Sequence, residues 1–260
     1  EANSQGLNEQ QIEELKDKLR KKWTPKLERC MAKYRKAKAM PGSLFDLPSI
    51  KRLNAETIRS HQMNKKIHIF GGGTVSHIRN HLALCAPAYG TTAKQLRQLC
   101  EAANPQMDIY LHLTRMAGGS METNEDVKLK LDELIGDPTT KIIFMNAALV
   151  DFQAYIGTED SGKYAPRLHS RGRIENAVLF PNPKLIGDIR KTRKDIFLVG
   201  FKTTTGATED EQYIAALHLL KEASCNLVLA NDTVTRTNMI VCPEEARYHV
   251  TKDRTEALTN

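Results

Sequence analysis

The stretch Lys66-Ile-His-Ile-Phe-Gly-Gly-Gly-Thr74 decides how the chain reads, because strand-like residues run straight into three glycines and a threonine. At the carboxyl end of a strand in an open α/β sheet, that order bares backbone amides where a phosphate can approach without meeting a Cβ. Gly71, Gly72 and Gly73 are followed neither by the Gly-Lys-Ser/Thr of a P-loop nor by the third glycine of G-x-G-x-x-G. A tight ligand-free turn uses similar glycines, so taken alone the stretch leaves a phosphate site and a bare turn both open.

Outward from this stretch, apolar strands alternate with amphipathic helices. The strand candidates are Ile67–Phe70, Asp108–Leu113, Ile142–Asn146, Ile196–Gly200, Asn226–Ala230 and Met239–Cys242. Helix candidates lie between them at Thr91–Ala103, Asn124–Ile135, Pro183–Thr192 and Glu209–Ala223. Thr123 with Asp126 marks one helix start, and Leu129, Leu131, Leu134 and Ile135 supply its apolar positions. This alternation predicts an α/β fold with a doubly wound, mostly parallel, Rossmann-like sheet.

In such a sheet the segments after each strand share one edge, where ligands sit. They are Gly71–Thr74, Ala147–Phe152 with Asp151, Phe201–Thr205 with Lys202, and Asn231–Thr233 with Asp232. Asn146, Asp151, Lys202, Asn231 and Asp232 offer charge and hydrogen bonds to a polar ligand, and Phe201 offers a stacking face for a flat base. Asn231 and Asp232 serve equally as a turn or helix cap, and Phe201 as core.

The formal charge of +7 is concentrated in residues 16–38, where eleven Lys/Arg face only Asp17 and Glu28, leaving the rest near −2. Ile12, Leu15, Leu19, Trp23, Leu27, Met31 and Tyr34 recur at helical spacing opposite that charge. Pro25 after Thr24 kinks this helix or starts a second. Residues 1–43 therefore read as a basic amphipathic arm, 44–65 as a connector, and 66–260 as the nucleotide-binding domain. The arm packs on its own domain or a partner subunit with a solvated basic face; binding to nucleic acid or an anionic surface is the less favoured reading, since no base-stacking aromatics accompany the charge. Five scattered cysteines without C-x-x-C read as reduced thiols. No apolar run reaches the ~18 residues of a membrane span and no leader pattern precedes the core, which predicts a soluble, cytoplasmic chain without membrane association.

Five colinear motifs bear a closer likeness. Ile67-His-Ile-Phe-Gly-Gly-Gly-Thr74, Asn146-Ala-Ala-Leu-Val-Asp151-Phe, Phe180-Pro-Asn-Pro-Lys-Leu-Ile186, Leu198-Val-Gly-Phe-Lys-Thr-Thr204 and Asn226-Leu-Val-Leu-Ala-Asn-Asp232 together resemble phosphopantothenoylcysteine synthetase. The likeness covers roughly residues 66 to 250. It implies a Rossmann-like homodimer in which CTP or ATP, with Mg²⁺, activates a carboxylate as an acyl-nucleotide. Diphosphate leaves, and the cysteine amine then forms an amide.

Carried over by position, Gly71, Gly72, Gly73 and Thr74 resemble the glycine turn near phosphate, and Ala147, Ala148 and Asp151 the Ala-Ala-x-x-Asp nucleotide loop. Phe201 resembles the base-contacting residue; Lys202 and Asn231 flank it in the nucleotide set. Lys163, in Gly162-Lys-Tyr-Ala-Pro166, lies near where the family places a functional lysine on a mobile flap, though the flap spacing differs. No metal ligand is assigned.

One departure stands out. The family carries Asn-x-Ser-Ser-Gly after the glycine turn, and this chain reads Leu84-Cys-Ala-Pro-Ala-Tyr-Gly90, which puts Ala86 at the asparagine position. A methyl group donates no hydrogen bond, and Asn80 is the nearby side chain that can stand in as the second catalytic candidate. Pro87 and Tyr89 also replace small polar residues, which points to a reshaped acid pocket. Three functions follow: a ligase of this type, a nucleotide-binding relative with other nucleotide chemistry or a sensing role, and an interaction protein acting through the arm.

Overall fold

The computed structural model describes residues 65–169 and 174–260. The arm and all of the connector but Lys65, with the expectations made for them, lie outside the described residues.

Strands β1 (Lys66–Gly73), β4 (Asp108–Leu113), β5 (Thr140–Ala148), β8 (Phe197–Thr204) and β9 (Leu227–Asp232) are parallel. With antiparallel β10 (Asn238–Val241) and β11 (Arg247–Thr251) they form one sheet in the order β11-β10-β9-β8-β5-β1-β4. The parallel part winds outward in both directions from β1 and β5, so the switch point of the sheet lies between these strands.

Helices cover both faces, as the alternation predicts. Ala93 and Leu96 of α1 (Thr91–Ala103) pack on Ile67 and Ile69, and Leu258 of α5 (Arg254–Thr259) joins that layer. On the other face, α2 (Asn124–Gly136), α3 (Ile186–Thr192) and α4 (Glu209–Glu222) bring Val127, Leu131, Ile189, Ala216 and Leu220 onto Phe70, Ile143, Leu198 and Val228. All six expected strands and all four expected helices form.

Thr123 caps α2 in a reciprocal capping box with Asp126. Leu129, expected on the apolar stripe, faces solvent at 69% exposure, and Val127 takes the buried position instead. The Gly71–Gly73 and Ala147–Ala148 segments, expected as loops, still belong to the sheet. Gly71, Gly72 and Gly73 pair with Asn146, Ala147 and Ala148, because parallel pairing continues wherever both backbones stay extended.

Two excursions leave the carboxyl edge. One is the hairpin of β2 (Val75–Arg79) and β3 (Leu82–Cys85); the other carries β6 (Phe152–Ile156) and β7 (Ala177–Pro181). Each closes on its own base, through Ala86 N to Thr74 O at 3.1 Å and Asn182 N to Asp151 O at 2.8 Å. They pack together around Ile78, Ala154 and Ile156, forming a lobe with a small core of its own.

The base of the lobe is locked by the buried Thr74 hydroxyl. It donates to Asn124 Oδ1 at 2.6 Å and accepts from Val150 N at 2.9 Å, while Asn124 Nδ2 donates to Val150 O at 2.9 Å. This joins β1, the first turn of α2 and the segment after β5. Replacing Thr74 by Val keeps the volume but leaves Asn124 Oδ1 and Val150 N with only their mutual 3.3 Å bond. The expected loss is about 2 kcal/mol, read as a lower urea midpoint with unchanged m.

At the other end of the sheet, His68 Nδ1 lies 3.0 Å from His112 Nε2, and the His68 ring stacks on Tyr110. Burial pushes both imidazoles down from 6.5 to about 4. The unfolded chain therefore binds protons that the fold excludes, so this contribution is fully present above about pH 6.5 and is lost as pH falls toward 4. Denaturant midpoints measured across that window should fall with pH, and the slope should flatten in a His68→Leu, His112→Leu double variant.

Candidate functional site

The carboxyl edge between β1 and β5 is lined by Gly71–Gly73 and Asn146–Ala148, but protein already fills the space the glycines leave. A Cβ on Gly71 would lie 2.3 Å from Ala93 Cβ, one on Gly72 2.1 Å from Thr114 Oγ1, and one on Gly73 1.8 Å from Ala86 O. Gly72 also holds φ +96°, which side-chain-bearing residues rarely adopt. The three glycines thus admit α1, the turn after β4 and the returning hairpin. Ala86 is held against Gly73 and Thr74 by that return.

Across the switch point, Ala147 and Ala148 are half-buried, and Ala148 O accepts from Thr74 N at 3.0 Å. Asp151 follows on an exposed loop and is paired with the Lys184 ammonium.

Lys163 lies on the β6–β7 excursion and reaches back to this edge, donating to Glu122 Oε2 at 2.5 Å. Arg115 Nη1 stands 3.5 Å from the same oxygen, and His77 Nε2 stands 3.3 Å from Glu122 Oε1. The Lys163 ammonium, aided by Arg115 and His77 against the opposing effect of burial, holds the Glu122 carboxyl below its ordinary range. The cluster borders the glycine segment, since Glu122 O accepts from Val75 N at 2.9 Å and Thr114 N donates to Gly71 O at 3.0 Å.

Asn80 is not brought to the glycine turn. It sits in the β2–β3 turn, five strand residues and roughly 16 Å beyond Thr74. There its backbone N donates to Ala165 O at 3.0 Å, and its Nδ2 lies 3.5 Å from Lys163 O. It supports the segment that carries Lys163.

Phe201 packs with Phe144 and Leu258, and lines an apolar recess of about 260 Å³ between the sheet, α1 and α5. Lys202 follows on β8, half-buried, and alternation along the strand sends it to the opposite face. On β9, Asn231 Oδ1 accepts from Thr203 Oγ1 at 3.2 Å.

Asp232 is a buried latch. Its carboxylate accepts from the amides of Gly206, Ala207, Val234 and Thr235 and from the Thr204 hydroxyl. Burial would raise its pKa, but these bonds outweigh burial and hold it well below the usual carboxylate range. Of the turn and cap readings of Asp232, the turn is the one realised, through the bonds from Val234 N and Thr235 N.

Among the described residues no group of three or more His, Cys, Asp or Glu could hold a metal ion. Glu122, Arg115, His77 and Asn124 escape a reading by motif, because they come from three separate segments, Glu122 and Asn124 sharing one. Only Asn124 carried a local signal, the capping box beside it.

No family model matches the sequence. Over 111 residues, 43% of this chain, it is 29% identical to the coenzyme A biosynthesis bifunctional protein CoaBC of Thermococcus kodakarensis, and it spans about a quarter (26%) of that protein's length. Its fold is shared by the DNA/pantothenate metabolism flavoprotein from Streptococcus pneumoniae, with TM-score 0.62 and 19% identity over 75% of this chain and 96% of that one. The C-terminal domain of a CoaBC protein superposes with TM-score 0.55 and 16% identity over 76% and 92%. The Cab2 H337A mutant complexed with phosphopantothenate-cysteine gives 0.52 and 17% over 85% and 92%. Over part of its length the sequence is thus similar to a coenzyme A biosynthesis protein, and the chain shares its fold with these solved structures.

Proposed function

We propose that the chain is a nucleotide-dependent carbon–nitrogen ligase that activates a carboxylate as an acyl-nucleotide and joins it to the amine of cysteine. The observation that carries this reading is the pairing of Gly71–Gly73 with Asn146–Ala148 across the switch point, where doubly wound sheets bind ligands. The phosphopantothenate-cysteine held by the structurally similar Cab2 mutant supplies the substrate class.

In this reading the acid's carboxylate attacks the α-phosphorus of CTP or ATP and diphosphate leaves. The cysteine nitrogen then attacks the acyl carbon and the nucleotide leaves with the bonding pair. Lys163 and Arg115 offset the phosphate charge, and the backbone about Gly72, Gly73, Thr74, Ala147 and Ala148 frames the phosphates. Asp151, Lys202 and Asn231 offer polar contacts farther along the edge, and Phe201 an apolar surface. Asp151, the exposed carboxylate after β5, would be the residue to hold a Mg²⁺ ion bound to the triphosphate, and the ion would supply charge neutralisation there.

The ligase works as a homodimer. β7 is exposed along its whole length and pairs only with β6 among the described residues; Tyr155, Val178 and Phe180 are exposed on one face of this ribbon and Phe152 and Leu179 on the other. A second copy covers such a surface by two-fold symmetry. Among the described residues no helix is long and apolar enough to cross a membrane, and the four cysteines Cys85, Cys100, Cys225 and Cys242 are free thiols, which suits the cytoplasm.

One observation favours the second reading, a nucleotide-binding relative without ligase activity: the residue held against Gly73 and Thr74 is Ala86, which has no side-chain donor. Losing one such donor costs on the order of 10²-fold in rate. Diphosphate release with CTP or ATP, phosphopantothenate and cysteine is therefore expected to be slow, and Ala86→Asn is expected to raise it about 10²-fold. No turnover by either protein, with nucleotide still bound, would decide for the second reading.

Sedimentation checks the dimer. The wild type should run as two copies and Leu179→Lys as one, while a monomeric wild type would remove the interface.

A further inference from the structure

Three basic side chains from separate segments converge on one carboxylate beside the glycine strand end. His77 comes from β2, Arg115 from the turn after β4 and Lys163 from the β6–β7 excursion, and all face Glu122. Exposed ion pairs add little stability, so the convergence calls for another account.

Two cations of fixed charge meet a single carboxylate here. The neighbouring Asp126 carboxylate is already committed to the amides of Glu122 and Thr123. Arg115, 3.5 Å away and 61% exposed, makes no hydrogen bond to Glu122, and the buried His77 Nε2, 3.3 Å from Glu122 Oε1, is not aligned for one. The Thr114 hydroxyl, fully buried and set against Gly72, is likewise unpaired. The cradle holds more donors than one planar carboxylate engages. A phosphoryl group, with more charge and tetrahedrally placed oxygens, matches it better.

We propose that Glu122 is an internal counter-anion, which fills this cationic cradle in the ligand-free chain and is displaced by a phosphoryl group of the ligand. The proposal rests on the reading of the glycine crevice as a phosphate site and deepens it. Lys163 exchanges one anion for another, so it is held in place before the ligand arrives without being consumed by a permanent ion pair.

Titration calorimetry with inorganic diphosphate at low salt tests the exchange. Glu122→Gln removes the competing charge and should bind about tenfold tighter than wild type, and Lys163→Met added to it should abolish the gain. Equal or weaker binding by Glu122→Gln would overturn the proposal, because Glu122 would then only be tethering Lys163. If Glu122→Gln does not fold, Glu122→Asp, whose carboxylate is one methylene shorter, should give a smaller gain in the same direction, and no gain overturns the proposal.

Two further arms identify the source of the phosphate: CTP and ATP against their nucleosides, and phosphopantothenate against pantothenate. Tighter binding by Glu122→Gln in either phosphorylated arm supports the exchange and names its ligand, and a gain in neither overturns it. A chain that shows the gain yet forms no amide keeps this inference and loses the ligase reading.

Discussion

The Thr74 hydroxyl sits where β1, the start of α2 and the segment after β5 meet, and the carboxyl edge takes its geometry from that junction. One oxygen donates to Asn124 Oδ1 and accepts from Val150 N in a site closed to water. In a low-dielectric site each such bond is strengthened, and each missing one is costly, so the network admits one arrangement. From that junction Val75 starts the hairpin outward, Asn124 opens α2, and Val150 directs Asp151 and Lys163's excursion away from the sheet.

The glycines illustrate how one residue type answers two demands. A ligand reading and a packing reading both ask for backbone without Cβ, and the structure shows the packing demand in full: α1, Thr114 and the Ala86 carbonyl each occupy the place of a side chain. Close approach of these segments is what brings Glu122, Arg115 and Ala86 to the strand ends. Any ligand at this edge meets the cations that the packing has gathered there, because the amides of Gly73 and Thr74 are already bonded to Ala88 O and Ala148 O.

The sheet and its helices were legible in the sequence because burial on one or both faces imposes a period, and period survives without knowledge of partners. Ile67–Phe70 read as a strand from four residues, and Thr123 with Asp126 read as a helix start from two. The lobe was not legible. β2 carries Ser76, His77 and Arg79 beside Val75 and Ile78, a mixture without a clean alternation, since its small core buries only a few positions. The meeting of His77, Arg115, Glu122 and Lys163 was hidden for a different reason: it depends on how two excursions pack, and no spacing along the chain encodes it. Asn80 shows the same limit, being near the glycines in sequence and well away from them along β2.

The two pinched necks have a kinetic meaning. Because Ala86 returns to Thr74 and Asn182 returns to Asp151, the lobe joins the sheet by backbone bonds at its base and by few apolar contacts elsewhere. Cooperative units with little buried surface open more often than the core they are attached to. Amides of β2, β3, β6 and β7 therefore exchange with solvent through openings that leave β1, β5 and β8 protected. Lys163 rides on this lobe, while Glu122, with which it pairs, stands on the segment that leads into α2.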